Sequence, residues 1–307
     1  MVTPKGKSAS AVAIPSFLRR MHFADYLNYL LLIVFTFLMI YPFLYIFSLS
    51  VSDSWAVFTG QVWLYPVGFK LDVYEAVFDT NLMVRAFRNS ITYTALGVVL
   101  TLFFCTLGGY VFSERRFRWR SPLSLLLGFT LFFSAGLIPT FLAYNSYGLK
   151  NTVWVMALPF AFNMWYIILI RTNIQAIPQE LKDAARADGA SDFRILVQIV
   201  VPLIVPILAT IALFTAVARW NDFYTALVYL DEANMMPLPV LLRRVLVEGV
   251  SWDLIDQESL YQGHVQKAYF RQLKMATIIV TVTPILVVYP FVQKYFIKGV
   301  LVGSVKG

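Results

Sequence analysis

Few side chains in this 307-residue chain have the type and spacing needed to carry out a reaction. The two histidines, His22 and His264, are far apart in sequence, and the single cysteine, Cys105, lies in an apolar stretch. There is no phosphate-binding glycine loop, no zinc-protease motif and no serine-nucleophile motif. One cysteine cannot build a thiolate metal site, and the acidic residues have no spacing that would pair them. We therefore predict that this chain has no catalytic residue, no metal site and no cofactor of its own.

The segment from Pro178 to Pro202 is better suited to docking than to catalysis. Pro178 fits the first turn of a helix, Gly189 fits its end, and Ser191 can cap a second helix. One narrow face of the first helix collects the residues at i, i+3, i+4 and i+7, which are Leu181, Ala184, Ala185 and Asp188. Small side chains let a partner's groove approach the backbone closely, so we interpret this helix as a docking element. The alternative is a helix lying on lipid, although alanine has little affinity for lipid.

The composition predicts the elements that must hold this segment. Hydrophobic residues make up 59% of the chain and charged residues only 14%, against about 25% charged in a soluble domain. Six uncharged stretches are long enough to cross a hydrocarbon core of about 30 Å as helices: 26–52, 89–113, 121–149, 151–170, 195–218 and 275–293. We therefore predict an all-α integral membrane protein with six transmembrane helices. Prolines in several of these stretches predict kinks.

Basic residues predict the orientation. Fifteen of the 25 lysines and arginines fall in the N-terminal tail, the second and fourth loops and the C-terminal end. The positive-inside rule then places these segments, with both termini, in the cytoplasm. The net charge of +8 follows from this topology and from contact with anionic membrane lipid, and no basic stripe indicates a nucleic-acid partner.

The predicted organisation is one helical bundle. Residues 1–25 form a cytoplasmic N-terminal tail, 26–298 the transmembrane domain and 299–307 a cytoplasmic C-terminal tail. Within the domain, residues 171–200 are the cytoplasmic loop that carries the docking helix, and residues 227–272 are a long outer loop.

The docking segment resembles the EAA loop of permease subunits from bacterial ABC importers. In that family the pattern reads Glu-Ala-Ala, three residues, Gly, and then a hydrophobic run that ends in Leu-Pro. Here Asp183-Ala184-Ala185, Gly189 and Val201-Pro202 occupy those positions, with Asp in place of Glu and Val in place of Leu.

The resemblance extends over nearly the whole chain. Residues 66–71, Asn89-Ser90, Trp220-Asn221 and residues 293–307 are similar to the maltose-type, binding-protein-dependent carbohydrate permeases. The Gly-Ser-Val-Lys-Gly ending and the long final outer loop are most similar to the oligosaccharide branch, which includes alginate and aldouronate permeases.

This resemblance implies a type I ABC importer permease core in the bacterial cytoplasmic (inner) membrane and no enzymatic activity on this chain. It implies a heterodimer with a homologous permease, two ATPase subunits that bind ATP and Mg²⁺, an extracytoplasmic solute-binding protein and an oligosaccharide substrate, such as an alginate or aldouronate fragment. The residues that couple to the ATPase would be Glu180, Asp183, Ala184, Ala185, Asp188, Gly189 and Ala190.

Two further groups are candidates for contact with a saccharide. Trp220, Asn221 and Asp222 place an aromatic ring beside an amide and a carboxylate, although Trp220 fits an interfacial membrane anchor equally well. Arg243 and Arg244 in the outer loop could meet acidic sugars or the binding protein, and the alternative is a solvated pair.

Two other classes of function remain open at this point. A secondary carrier or channel acting without an ATPase would place charges at mid-membrane and often contains inverted repeats; only Arg219 and Asp222 approach such a position. A membrane enzyme acting on lipid would need acids, bases or metal ligands that converge near one interface, and no such residues converge.

Overall fold

The computed structural model describes residues 23–248 and 264–304, and the regular secondary structure of these residues is entirely helical, without a β-strand. The helices are α1 (Phe23–Ser50), α2 (Ser54–Phe58), α3 (Asp72–Asp79), α4 (Asn81–Ser113), α5 (Arg120–Phe129), α6 (Leu137–Ser146), α7 (Met164–Gln175), α8 (Gln179–Ala187), α9 (Asp192–Ile195), α10 (Val201–Leu203), α11 (Val205–Trp220), α12 (Tyr224–Tyr229), α13 (Leu238–Arg243) and α14 (His264–Ser304). Most of the predicted N-terminal tail with His22, the middle of the predicted outer loop (249–263) and residues 305–307 lie outside the described residues.

Three described helices are long and apolar enough to cross a membrane. They contain the segments Asp25–Ser50, Asn81–Ser113 and Lys267–Pro290, which correspond to the first, second and sixth predicted spans. These helices are longer than the uncharged stretches, since α4 begins at Asn81 rather than at residue 89. The stretches without charged residues therefore identify these three spans correctly but are shorter than the corresponding helices.

The fourth and fifth predicted spans are each broken. Two 3₁₀ turns over Val153–Phe160 meet α7 at 48°, and the helical segment Asp192–Leu203 meets α11 at 81°. Pro206 has no N–H to continue the ladder, and a proline ring clashes with the preceding turn, so the helix breaks at Ile204. Counting each bent pair as one span raises the number of candidate spans in the described residues to five.

The prediction of one continuous helix over residues 121–149 is wrong. Helix α5 ends at Phe129 and α6 begins at Leu137, each with ten residues. Gly136, at φ +81°, adopts a left-handed conformation that cannot continue a helix. Each helix is only about 15 Å long, half of the hydrocarbon thickness. Freedom from charge does not show this break, because the intervening residues are apolar or small.

Helix α4 lies at the centre of the bundle and packs against α3, α7, α11 and α13. One core joins its C-terminal half to α7 and to the segment from α9 to α11, and includes Cys105, Ile170 and Ile195. A second core joins its N-terminal half to α3, α13 and α14. A span packed on several sides can hold the segments on either side of the membrane in fixed positions.

The approach of α7 to α4 depends on a glycine. A methyl group at Gly109 would lie 2.5 Å from Cγ2 of Ile170, a distance that real Cβ contacts do not reach. Small residues allow such close backbone approach between membrane helices.

We expect Gly109→Ala to lower stability by about 1–3 kcal/mol, because a well-packed interface has no room for the added methyl. The matched control is Gly128→Ala in α5, where a methyl would meet nothing within 4 Å and should be neutral or slightly stabilising. Thermal unfolding of the purified chain in detergent measures both. Equal melting temperatures for the two variants would contradict the packing.

Candidate functional site

The predicted docking helix is present as α8, and local signals determine its ends. Pro178 precedes its first residue, and Gly189, at φ +80°, follows the end of the helix. The Ser191 side chain then accepts a hydrogen bond from the Arg194 N–H and caps α9. The predicted sequence of helix, glycine turn and capped second helix is confirmed.

One face of α8 is open to the surroundings. Leu181 is 49% exposed, and Ala184 and Asp188 are also exposed. Ala185 and Ala190 are half-buried and pack against the core that contains α7 and α9. Small and apolar side chains are therefore presented outward on a helix whose inner side is anchored in the bundle.

The inner side of α8 carries charges that the predicted face did not include. Lys182 is 2% exposed, although it is a lysine on a nine-residue surface helix. Its Nζ lies 3.7 Å from Oε1 of Glu114, and Nη2 of Arg186 lies 2.7 Å from Oε2 of the same carboxylate. Glu114 ends α4 as its C-cap residue, so this carboxylate joins α8 to the end of the central span.

Arg186 extends the cluster to α9. Its guanidinium donates to Asp183 through Nη1 and to Asp192 through Nη2, both at 3.2 Å. Burial disfavours the charged form of Arg186, but hydrogen bonds to Glu114 and Asp192 outweigh burial and raise its pKa above the ordinary value. Arg186 therefore stays charged, and we call Glu114, Lys182, Arg186, Asp183 and Asp192 the anchor cluster.

The anchor cluster could not be found from local spacing. Glu114 precedes Arg186 by 72 residues, and only the folded chain brings them together. The available signal was the i, i+4 pair of basic residues, Lys182 and Arg186, opposite the alanines. On its own that pattern is typical of a solvated helix face.

The structure does not bring the three predicted saccharide contacts together into one site. These residues are Trp220, Asn221 and Asp222. The Trp220 ring is only 7% exposed, donates from Nε1 to the Thr281 carbonyl and packs edge-on against Phe87. Asn221 is exposed, and its amide donates to the Val217 carbonyl one turn earlier. Asp222 pairs with Arg219 at 2.9 Å. In this structure Trp220 is therefore a core residue rather than an open aromatic platform.

Asp222 and Arg219 line a cavity of about 370 Å³ between α6, α11 and α12, and we call it the Arg219 cavity. Arg243 and Arg244, half-buried at the end of α13, do not line it. A separate cleft of about 490 Å³ is lined by Arg85 and Arg88 near the start of α4. The sequence pointed to Asp222 and Arg219, but it did not predict the other residues of the Arg219 cavity or the second cleft, because those residues come from distant segments. The described residues contain no group of three or more His, Cys, Asp or Glu side chains that could hold a metal ion.

Comparison with known proteins finds sequence relatives, and two of them are from Bacillus subtilis (strain 168). The polygalacturonan/rhamnogalacturonan transport system permease protein YtcP is 37% identical over 285 residues, which are 92% of this chain and 98% of YtcP. Protein LplC is 38% identical over 270 residues, which are 87% of this chain and 90% of LplC. No protein-family model matches the chain.

Comparison with solved structures shows that the fold is similar to that of chains in bacterial ABC transporters. A chain of a bacterial ABC transporter involved in the import of the acidic polysaccharide alginate superimposes with a TM-score of 0.80 and 34% identity, covering 90% of this chain and 99% of that one. A structure of a bacterial alginate ABC transporter in complex with an alginate pentasaccharide-bound periplasmic protein aligns with a TM-score of 0.51 and 16% identity, which supports the fold alone.

The fold and the docking loop thus define a membrane permease of the ABC importer class. The chain belongs to the family of sugar ABC transporter permeases, as the EAA-type loop predicted. A secondary carrier or channel that works without an ATPase is not favoured, since the solved relative is part of an ABC transporter. The relatives are permeases and not enzymes, so the lipid-enzyme alternative is not favoured either.

The anchor cluster makes a direct prediction about stability. Glu114→Gln leaves Lys182 buried without a counter-charge, and we expect it to destabilise the chain by about 3 kcal/mol. Adding Lys182→Met should recover at least half of that loss, since it removes the orphaned charge. Chemical unfolding in detergent measures both variants.

The matched control for this prediction is Glu75→Gln, because Glu75 is an exposed carboxylate on α3. A surface change of this kind should alter stability by less than about 0.5 kcal/mol. If the effects of Glu114→Gln and Lys182→Met were simply additive, the two side chains would not be coupled.

Proposed function

We propose that this chain is one of two homologous permease subunits of an ATP-driven importer, and that α8 couples it to an ATPase subunit. In this proposal the chain binds no cofactor, and ATP and Mg²⁺ are bound by two separate ATPase subunits. An extracytoplasmic binding protein delivers an oligosaccharide to the path between the permeases. We propose that last partner because the sequence resembles the binding-protein-dependent carbohydrate permeases.

The observation that carries the coupling role is the contrast between the two sides of α8. Its outer face is exposed and carries small residues around Ala184, and its inner face is held by ion pairs to Glu114. A helix lying on lipid would present large apolar side chains and would need no buried charges. A helix that transmits movement from one subunit to another needs an accessible face for the partner and firm contacts with its own bundle. The proposed coupling residues are Glu180, Asp183, Ala184, Ala185, Asp188, Gly189 and Ala190.

The proposed substrates are oligosaccharides rich in uronic acids. YtcP is named for polygalacturonan and rhamnogalacturonan, and the solved relative is involved in alginate import. Both comparisons cover at least 90% of this chain. Alginate and aldouronate fragments remain members of the proposed class. Asn221 and Asp222 remain candidate contacts with the substrate, and Arg243 and Arg244 with the substrate or the binding protein.

We further propose six crossings, with both termini and the loop that carries α8 in the cytoplasm. The positive-inside bias supports this orientation. The third crossing along the chain would be made by α5 and α6 together, because neither is long enough to span the membrane alone.

The decisive variant is Ala184→Trp, which places a large ring in the centre of the outer face. We expect at least a tenfold loss of co-purifying ATPase subunit and of substrate-stimulated ATP hydrolysis. The melting temperature of the permease should change little, since Ala184 is exposed. Affinity purification from membranes, followed by an ATPase assay in nanodiscs, measures both effects.

The control is Arg118→Trp, an equally bulky change at an exposed residue between α4 and α5. It should leave ATPase recovery close to that of the unmodified chain. Full recovery of a functional ATPase with Ala184→Trp would overturn the proposed coupling role.

A further inference from the structure

Arg219 occupies a space built for a long cationic side chain inside the bundle. It lies in the last turn of α11, and its side chain is 12% exposed. Its Cγ lies 2.9 Å from the point where a Cβ on Gly97 of α4 would be, so only glycine leaves room for the stem. Charged residues within membrane helices are expensive and commonly mark a substrate or ion path.

The guanidinium is held on two sides. It stacks over the ring of Phe160, with Cζ 3.7 Å from the ring centroid. Its Nη1 donates to Oδ2 of Asp222 at 2.9 Å, while Oδ1 of Asp222 accepts from the Thr225 N–H at 3.0 Å. Of the three guanidinium nitrogens of Arg219, only Nη1 has a hydrogen-bond partner within the described part of the chain. Donors on Nε and Nη2 therefore remain for a ligand.

The Arg219 cavity offers what a saccharide requires. Hydroxyl-bearing side chains make up six of its eleven lining residues: Ser134, Thr140, Tyr144, Tyr224, Thr225 and Tyr229. Sugar hydroxyls exchange hydrogen bonds with such groups, and the aromatic rings can cover the apolar faces of a pyranose. A purely structural ion pair between Arg219 and Asp222 would not need an open, hydroxyl-lined cavity beside it.

We infer that Arg219 is a specificity-determining residue that binds the carboxylate of a uronate unit within the Arg219 cavity. This inference rests on the proposed function. Asp222 continues to accept the hydrogen bond from Nη1 of Arg219 and so fixes the plane of the guanidinium. The substrate carboxylate accepts hydrogen bonds from the donors on Nε and Nη2. The planar fork of arginine matches a carboxylate in a way that a lysine ammonium does not. In an empty cavity, Asp222 balances the buried charge.

The test measures saccharide binding to the assembled importer without its binding protein, held with ATP by a hydrolysis-deficient ATPase subunit. The probes are trigalacturonate and its fully methyl-esterified form, which has the same length and no charge. Equilibrium dialysis should show at least a tenfold preference of the unmodified importer for the free acid. The double variant Arg219→Gln/Asp222→Asn, which removes both charges and orphans neither, should abolish that preference.

Two further variants keep the result interpretable. Gly97→Ala leaves every charge in place but displaces the Arg219 stem, and it should weaken binding of the free acid several-fold. Lys150→Gln/Asp231→Asn removes a different outer ion pair and should leave the preference intact. The inference is overturned if the unmodified importer binds neither probe or both equally, or if the double variant keeps the preference. ATP-dependent uptake by the unmodified importer, assayed separately, would then still support the proposed function.

Discussion

The side of the molecule that carries α8 depends on one carboxylate placed where the central span ends. Glu114 is the C-cap residue of α4, and it lies against Lys182 and Arg186 of the docking helix. Three partly or wholly buried charges in a small volume are unfavourable unless they are paired, so the cluster is stable only with α8 seated in one orientation. That orientation turns the alanine face outward. A nine-residue helix with a single buried residue is in this way attached to the bundle by ion pairs.

The same constraint explains how movement of α8 can reach the interior. Asp192 of the anchor cluster begins α9, and the helical segment that follows turns by 81° into α11. The last turn of helix α11 carries Arg219, which lines the Arg219 cavity. Any displacement of α8 is therefore applied to two elements at once, the end of α4 and the start of the bent segment. The bend at Ile204 lies between the anchor cluster and the proposed saccharide contact.

Local signals in the sequence predicted a good part of this arrangement. Pro178, Gly189 and Ser191 predicted α8 and its ends, because caps and glycine turns depend on neighbouring residues alone. Apolar length predicted α1, α4 and α14. The break between α5 and α6 was missed, since Gly136 interrupts a helix without adding charge or length. The anchor cluster and most of the Arg219 cavity were missed because their members meet only through long-range packing. The burial of the Trp220 ring follows from the same kind of packing.

The central claim is that the outer face of α8 is covered by an ATPase subunit rather than by lipid. Cys105 is fully buried, so a Leu181→Cys variant carries a single accessible thiol in the described part of the chain. The most direct measurement is the rate at which a maleimide labels that thiol in nanodiscs, with and without the ATPase subunits. We predict that assembly slows labelling at least tenfold and that a short bifunctional reagent joins position 181 to the ATPase. An unchanged labelling rate, with quenching of the attached probe by nitroxide lipids, would contradict the account.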